Sequence, residues 1–242
     1  MESLIVFLPQ ERLVWWQNLK PSFAHEIRNC PPSEVSIRYL DASMDCPIFH
    51  TPEGLEFCID FDKDHINYQR KNLRGKNEPL ARAFTGNRNY KRVHDLSLGL
   101  AIDALTAIQL GFEVSGNERS PLIALMIKAA IQATNTANYK FTFFESNAET
   151  LLSDSLFLEK IEVLYFDPMY PHKKKSALPK KEMQIFRDLV GDDMDAESVL
   201  EYALKTQVPR IVVKRPVTAE FLLTKPSYSV ETKVVRWDIY QR

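Results

Sequence analysis

Residues 161–172 read Ile161-Glu162-Val163-Leu164-Tyr165-Phe166-Asp167-Pro168-Met169-Tyr170-Pro171-His172. Five of the first six are apolar or aromatic, the pattern of a strand covered on both faces, as in the parallel sheet of an α/β domain. Ligands of such sheets bind outside the carboxyl ends of the strands, which makes Asp167 and its successors an expected active-site loop. Pro168 and Pro171 fix φ and bias Asp167 and Tyr170 away from helix, so the loop is stiff. A stiff loop can offer the Asp167 carboxylate and the Pro168 carbonyl as acceptors for an exocyclic amine, with Tyr170 stacking on its ring. The competing reading is an ordinary strand-ending turn, since Asp-Pro commonly opens one.

On either side of this stretch the apolar rhythm alternates between strand and helix. Upstream, Tyr90–Asp95, Phe112–Asn117 and Lys140–Glu145 read as strands, with Asp103–Leu110, a Pro121-started segment and Glu149–Phe157 as helices. Downstream, Ala196–Thr206 reads as a helix, Arg210–Lys214 as a strand, and Ser227–Val230 with Val234–Tyr240 as a closing pair. Such alternation predicts an α/β domain over residues 90–242, doubly wound on a mainly parallel sheet. Before residue 62 the segments Leu4–Leu8, Val35–Leu40 and Leu55–Phe61, separated by proline turns, predict a small β-rich domain. Residues 63–89 are then a basic connector, helical in part from Glu78 to Phe84.

Three more loops fall at carboxyl ends of the expected strands. Asp95-Leu96-Ser97-Leu98-Gly99-Leu100-Ala101-Ile102-Asp103 leads into a helix whose first amides can face a ligand. Glu118 follows one βαβ step later, where an acid can accept from both ribose hydroxyls of an adenosine. Asn147 and Ala148 follow the next strand, placed to meet an adenine. Glu118 alone could equally be surface decoration.

Composition narrows the class. The chain has 242 residues, 45% hydrophobic and 26% charged, ordinary for a globular protein with a sizeable core. No apolar run approaches the roughly 18 residues a membrane span needs, and Met1-Glu2-Ser3 lacks the basic start of a signal peptide, so a cytoplasmic protein is expected. Cys30, Cys46 and Cys58 have no CxxC spacing, and the five histidines form no i, i+4 pair. Neither a disulfide framework nor a metal site is indicated. The formal net charge of −1 hides a segregation: Arg70, Lys71, Arg74, Lys76, Arg82, Arg88, Lys91 and Arg92 stand against Glu78 alone. Lys173, Lys174, Lys175, Lys180 and Lys181 follow the Asp167 loop. A lysine run is usually a solvated face, but beside a candidate catalytic loop it supplies positive potential for a polyanion, most naturally nucleic acid.

The block Tyr165-Phe166-Asp167-Pro168-Met169-Tyr170-Pro171-His172-Lys173-Lys174-Lys175-Ser176-Ala177-Leu178, with Lys180-Lys181-Glu182-Met183, Val212-Val213-Lys214-Arg215-Pro216, Asp238-Ile239-Tyr240 and Glu118-Arg119-Ser120-Pro121, resembles the ribosomal RNA small subunit methyltransferase J family. The resemblance is dense from about residue 90 onward and thin before residue 60. It implies a class I S-adenosylmethionine-dependent methyltransferase fold, Rossmann-like with a C-terminal antiparallel pair. It also implies methylation of a guanine N2 of 16S ribosomal RNA, with naked RNA or the small ribosomal subunit as partner. By resemblance, S-adenosylmethionine meets Ile102, Asp103, Glu118, Arg119, Asn147, Ala148 and Asp167, beside Asp95 and Gly99 of the first loop.

Asp167, Pro168 and Tyr170 are the expected catalytic loop, and RNA phosphates are expected on the five lysines, Lys214, Arg215, Arg70, Lys71 and Arg74. The family's first loop reads like Asp-Ala-Thr-Ala-Gly-Leu-Gly-Arg-Asp, whereas this chain has Ala101 for the second glycine and Ile102 for the arginine. Ala101 adds a methyl group where the backbone should pass close to the cofactor, and it takes positive φ only at a cost. Related Asp/Asn-Pro-Pro-aromatic loops serve methyltransferases of adenine, cytosine or protein glutamine, a first rival reading. A non-catalytic RNA-binding assembly factor is the second.

Overall fold

The computed structural model describes residues 3–32, 37–62, 75–134, 141–169, 189 and 194–242. The elements in chain order are β1 (Leu4–Phe7), α1 (Leu13–Leu19), β2 (His25–Arg28), β3 (Tyr39–Asp41), β4 (Ile48–His50) and β5 (Glu56–Cys58). Then follow α2 (Pro79–Thr85), β6 (Arg92–Asp95), α3 (Ile102–Gln109), β7 (Glu113–Glu118), α4 (Pro121–Ala133), β8 (Phe141–Glu145), α5 (Ala148–Leu152), α6 (Ser155–Leu158) and β9 (Val163–Phe166). The series ends with α7 (Ala196–Lys205), β10 (Arg210–Pro216), β11 (Tyr228–Glu231) and β12 (Val235–Gln241). By packing, the described residues form two compact units, one made of residues up to Asp62 together with α4, the other of the remaining elements.

The N-terminal unit holds a five-stranded sheet in the order β2-β1-β3-β4-β5. Strand β1 runs parallel to both β2 and β3, and β3, β4 and β5 form an antiparallel meander. The β-rich expectation overlooked α1, whose Leu13, Trp16 and Leu19 recur at helical spacing; Trp16 and Leu19 are buried. The helix closes at Lys20 with φ of 52°, and Trp16 Nε1 donates to His25 Nε2 at 3.2 Å. In α4, Pro121 occupies the first turn, where its missing N–H costs nothing. Seven of its residues are buried, among them Ile123, Leu125, Met126 and Ile127.

The second unit is built on a seven-stranded sheet in the order β11-β12-β10-β9-β6-β7-β8. From β10 through β9, β6 and β7 to β8 every pairing is parallel, whereas β12 is antiparallel to both β10 and β11. All four residues of β9 are buried, as a strand covered on both faces requires. The core below one face gathers Leu96, Leu164, Phe166, Leu200, Ile211 and Val213.

Two expected elements change shape. Strand β10 continues two residues further, to Pro216. The single helix expected over Glu149–Phe157 is two short ones, because the Asp154 side chain accepts Phe157 N–H at 3.1 Å and starts a new helix there. Fully buried Arg210 ties the closing strands to α2, donating to Ala83 O at 2.7 Å and Tyr228 Oη at 2.6 Å. Gly86, with φ of 52°, is required beside it: a Cβ there would lie 2.7 Å from Tyr228 Oη.

The chain runs outward from β6 to β7 and β8, then returns to place β9 and β10 on the other side of β6. The crevice between the carboxyl ends of β6 and β9 is therefore the topological switch point where such sheets bind ligands.

Candidate active site

Asp95 ends β6 and is buried. Its Oδ1 accepts Ser97 N–H at 3.0 Å and the Ser97 hydroxyl at 3.4 Å. The same hydroxyl oxygen accepts Asp167 N–H at 2.8 Å, so Ser97 couples the two acidic loops. Burial pushes the Asp95 carboxyl up to about 8, Asp103 and Asp167 adding to the effect while Ser97 N–H and Lys214 oppose it. Beyond Ser97 the loop is pinned at Leu98, whose N–H meets Asn117 O at 3.0 Å, and at Gly99, whose N–H meets Glu118 Oε2 at 3.1 Å. Ala101 then takes φ of 58° and ψ of 15°, a left-handed conformation that costs a residue with a Cβ about 1–2 kcal/mol. Its N–H donates to Leu98 O at 2.7 Å and its carbonyl accepts Leu105 N–H at 2.8 Å, so hydrogen bonds on both sides hold the strained residue.

Asp103, in the first turn of α3, and Asp167, just after β9, converge on Lys214 of β10. Lys214 Nζ donates to Asp103 Oδ2 at 2.7 Å and to Asp167 Oδ2 at 2.9 Å. The buried Tyr165 hydroxyl donates to the same Asp103 oxygen. Burial works against the charge of Lys214, but the two carboxylates overcome it and hold the ammonium well above an ordinary lysine. The Tyr165 phenol is raised by burial first, then by Asp103, Asp167 and Asp95. Side chains of Asp103, Asp167 and Lys214 stay 21%, 37% and 25% exposed, enough for a ligand to reach them.

Other expected site residues fare differently. Glu118 is buried at the end of β7, tied to the first loop. Ile102 opens α3, and Ala148 is the buried first residue of α5. The Asn147 side chain caps α5 through Oδ1, accepting Thr150 N–H at 2.9 Å and Thr150 Oγ1–H at 2.6 Å, which leaves its amide N–H2 and its backbone for the expected contact with an adenine. Arg119 pairs with Asp195 at 2.6 Å.

Of the cations expected to grip RNA, Lys214 pairs with two carboxylates, and Arg215 is buried with Nη2 donating to Glu220 O at 2.6 Å. Burial brings the Arg215 guanidinium down to about 10. Pro168 is buried beside Asp167. Tyr170, Lys173, Lys174, Lys175, Lys180, Lys181, Arg70, Lys71 and Arg74 lie outside the described residues.

A further network had no separate signal in the sequence. His94 of β6 stands beside Ser115 of β7 in the sheet register. Its Nδ1 lies 2.8 Å from Ser115 Oγ and its Nε2 lies 3.0 Å from Asn117 Oδ1. Asn117 Nδ2 donates to Leu96 O at 3.2 Å and Ser146 O at 3.1 Å, which leaves Oδ1 as acceptor and assigns the imidazole proton to Nε2. Burial lowers the His94 pKa to about 4, the Asn117 bond partly offsetting it, so the ring is neutral at neutral pH. Through Asn117 it joins the loops after β6 and β8.

Comparison with known proteins gives this arrangement its family. A family model described as "Putative SAM-dependent methyltransferase" matches residues 24–242. A protein from Bdellovibrio bacteriovorus named ribosomal RNA small subunit methyltransferase J is 49% identical over 183 residues, 75% of this chain and 73% of that protein. The chain belongs to this methyltransferase family. A relative of the same name from Hydrogenovibrio crunogenus is 34% identical, with 96% of this chain and 82% of that protein covered. The fold agrees with the crystal structure of a SAM-dependent methyltransferase from Neisseria gonorrhoeae, at a TM-score of 0.73 and 24% identity over 98% of this chain and 95% of that one.

The residues present fit the S-adenosylmethionine on which the family depends. Buried Asp95 and bound Glu118 brace the loop that turns into α3. Two carboxylates, Asp103 and Asp167, meet one ammonium, a net negative charge that suits a cationic sulfonium. Asp103, Glu118, Asn147 and Ala148 would hold the cofactor, which supplies a methyl group on that sulfonium. No helix among the described residues is long and apolar enough to cross a membrane.

Proposed function

We propose that the protein methylates the exocyclic N2 of a guanine in small-subunit ribosomal RNA, acting in the cytoplasm. The reading rests on Asp167: its carboxylate stands at the carboxyl end of β9, at the switch point, its N–H on Ser97 and its Oδ2 on Lys214. It is supported by the name and identity of the Bdellovibrio relative. The guanine amine is a poor nucleophile because its lone pair is delocalised into the ring. Catalysis then comes from positioning and electrostatics. Asp167 accepts an amine N–H and favours the pyramidal nitrogen. Once methylated, that nitrogen is cationic and acidic, so a carboxylate or water takes its proton. Pro168 stiffens the loop and offers its carbonyl as a second acceptor, and Tyr170 would stack on a base lifted from its helix. Lys173, Lys174, Lys175, Lys180 and Lys181, with Arg70, Lys71 and Arg74 of the connector 63–89, would hold phosphates, residues 90–242 would carry the chemistry, and residues 1–62 would add a small β-rich N-terminal part.

Incubating the protein with methyl-labelled S-adenosylmethionine and small subunits lacking native methylation, then mapping the label, tests this. Label on a guanine N2 is expected. Asp167→Ala should lower the rate by about 10³-fold while RNA affinity stays within about threefold. Label on another amine, or full activity in the variant, overturns the assignment.

A further inference from the structure

We propose that Lys214 is the positioning residue of the acceptor site, holding the Asp167 carboxylate in one orientation, keeping it ionised and tying it to Asp103 on α3. The inference rests on the reading of Asp167 as the group that receives the acceptor amine.

The geometry carries it. One ammonium lies 2.7 Å from Asp103 Oδ2 and 2.9 Å from Asp167 Oδ2. A carboxylate bonded through Oδ2 to a half-buried ammonium, and through its own N–H to Ser97, is fixed at both ends. The charged groups around it come from four elements: Asp95 at the end of β6, Asp103 on α3, Tyr165 with Asp167 on and after β9, and Lys214 on β10. Without Lys214, Asp103 and Asp167 would lose the ammonium that now bridges them beside buried Asp95. Like charges in one site raise each other's proton affinity, so losing the ammonium would favour protonation of one carboxylate. A protonated Asp167 neither accepts the amine N–H nor stabilises the cationic product. Arg215 is no substitute, being turned to Glu220 O. An RNA phosphate that drew Lys214 away would break its bonds to both carboxylates, which separates this role from phosphate gripping. The triad of Asp103, Lys214 and Asp167 keeps one net negative charge, still matched to a cation formed beside it.

Lys214→Met, Lys214→Gln and Lys214→Arg in the full chain test the assignment. With either neutral replacement, kcat at pH 7 should fall about 100-fold, KM for cofactor and RNA should change by less than about fivefold, and activity should return as pH rises toward about 10. The acid limb of the kcat profile should move up by about one pH unit or more. Lys214→Arg should leave that limb in place and recover to within about tenfold of wild type. A loss of equal size at every pH in both neutral variants, or no loss, overturns the proposal.

Wild-type protein unable to methylate ribosomal RNA would sink the proposed function instead. Titration of ¹³C-labelled aspartate carboxylates in substrate-free protein then decides the role of Lys214. One carboxylate displaced upward by about one unit or more in Lys214→Gln supports it, and unchanged titrations overturn it.

Discussion

Two polar networks hold the carboxyl ends of the strands in the seven-stranded sheet, and they follow opposite rules. His94, Ser115 and Asn117 form a neutral network: His94 and Asn117 are buried, and the proton positions follow from the partners. Asp103, Lys214 and Asp167 form a charged one, 21% to 37% exposed. Burying a neutral group costs little once it is hydrogen-bonded, whereas a charge needs both a partner and some water. The neutral network can therefore be pure scaffold, fixing the loops after β6 and β8. The charged one keeps the solvent access and uncommitted electrostatics that chemistry needs. Asp95 stands between them, buried like the first and acidic like the second.

The sharpest way to break this contrast is Asn117→Ala. It strands the His94 Nε2–H and two loop carbonyls together, at about 4 kcal/mol if each orphaned group costs its desolvation. Chemical denaturation at pH 7 should show that loss. The folded fraction should keep the wild-type pH profile of methyl transfer, because no charge has moved. A shifted profile would show that the scaffold also sets the chemistry.

Asp95→Asn tests the residue between the networks. An unfolded histidine binds its proton near 6.5 and His94 only near 4, so over that window the unfolded chain holds more protons and stability falls as pH falls. The difference is worth about 3 kcal/mol across the window. Asp95 acts in the opposite sense. Its carboxyl, 3.8 when unfolded and about 8 when folded, binds the proton in the folded state first, so stability is lost as pH rises through that range. Below 6.5 the two slopes largely cancel. Asparagine removes one of them: the variant should gain about 5 kcal/mol at pH 8 and show the His94 acid loss uncovered between 6.5 and 4. Urea midpoints at pH 8, 6.5 and 4.5 check both signs, and a variant less stable at pH 8 would mean that the Asp95 carboxylate is satisfied where it lies.

What the sequence made legible follows from what a one-dimensional pattern can carry. The apolar run before Asp167, the βαβ spacing from Asp95 to Glu118 and the closing strand pair are local signals, and the sheet order agrees with them. Lys214 could not be read in this way. Its partners are 111 and 47 residues distant, and whether a strand residue faces the ligand or the core depends on a pleat that adjacent cations do not reveal. Arg215 shows the same gap from the other side, a cation in sequence and a buried group in the fold. Asn147 shows a third: after a strand and before a helix, the side-chain oxygen of an asparagine is taken by the helix cap, so a ligand meets its N–H2 instead. Ala101 was legible for a different reason, since it replaces a glycine where the chain must turn left-handed, and φ is 58° there.

Ala101→Gly is the mildest test and bears on whether the loop is tuned for its ligand or only tolerated. Glycine relieves the left-handed strain, about 1–2 kcal/mol, but frees the unfolded backbone by roughly 0.5–1 kcal/mol and gives up one buried methyl worth about 0.8 kcal/mol. These contributions nearly cancel, so the unfolding free energy should move by less than about 1 kcal/mol. Affinity for S-adenosylmethionine isolates the other possibility. If the Ala101 methyl stands where the cofactor approaches the backbone, the variant should bind several-fold more tightly by calorimetry with stability unchanged. Equal affinity would mean that the loop reaches its ligand through Gly99 and Asp103 alone. The neutral and charged networks would then be linked by a turn whose strain is structural, held by the Ala101 hydrogen bonds to Leu98 O and from Leu105 N–H.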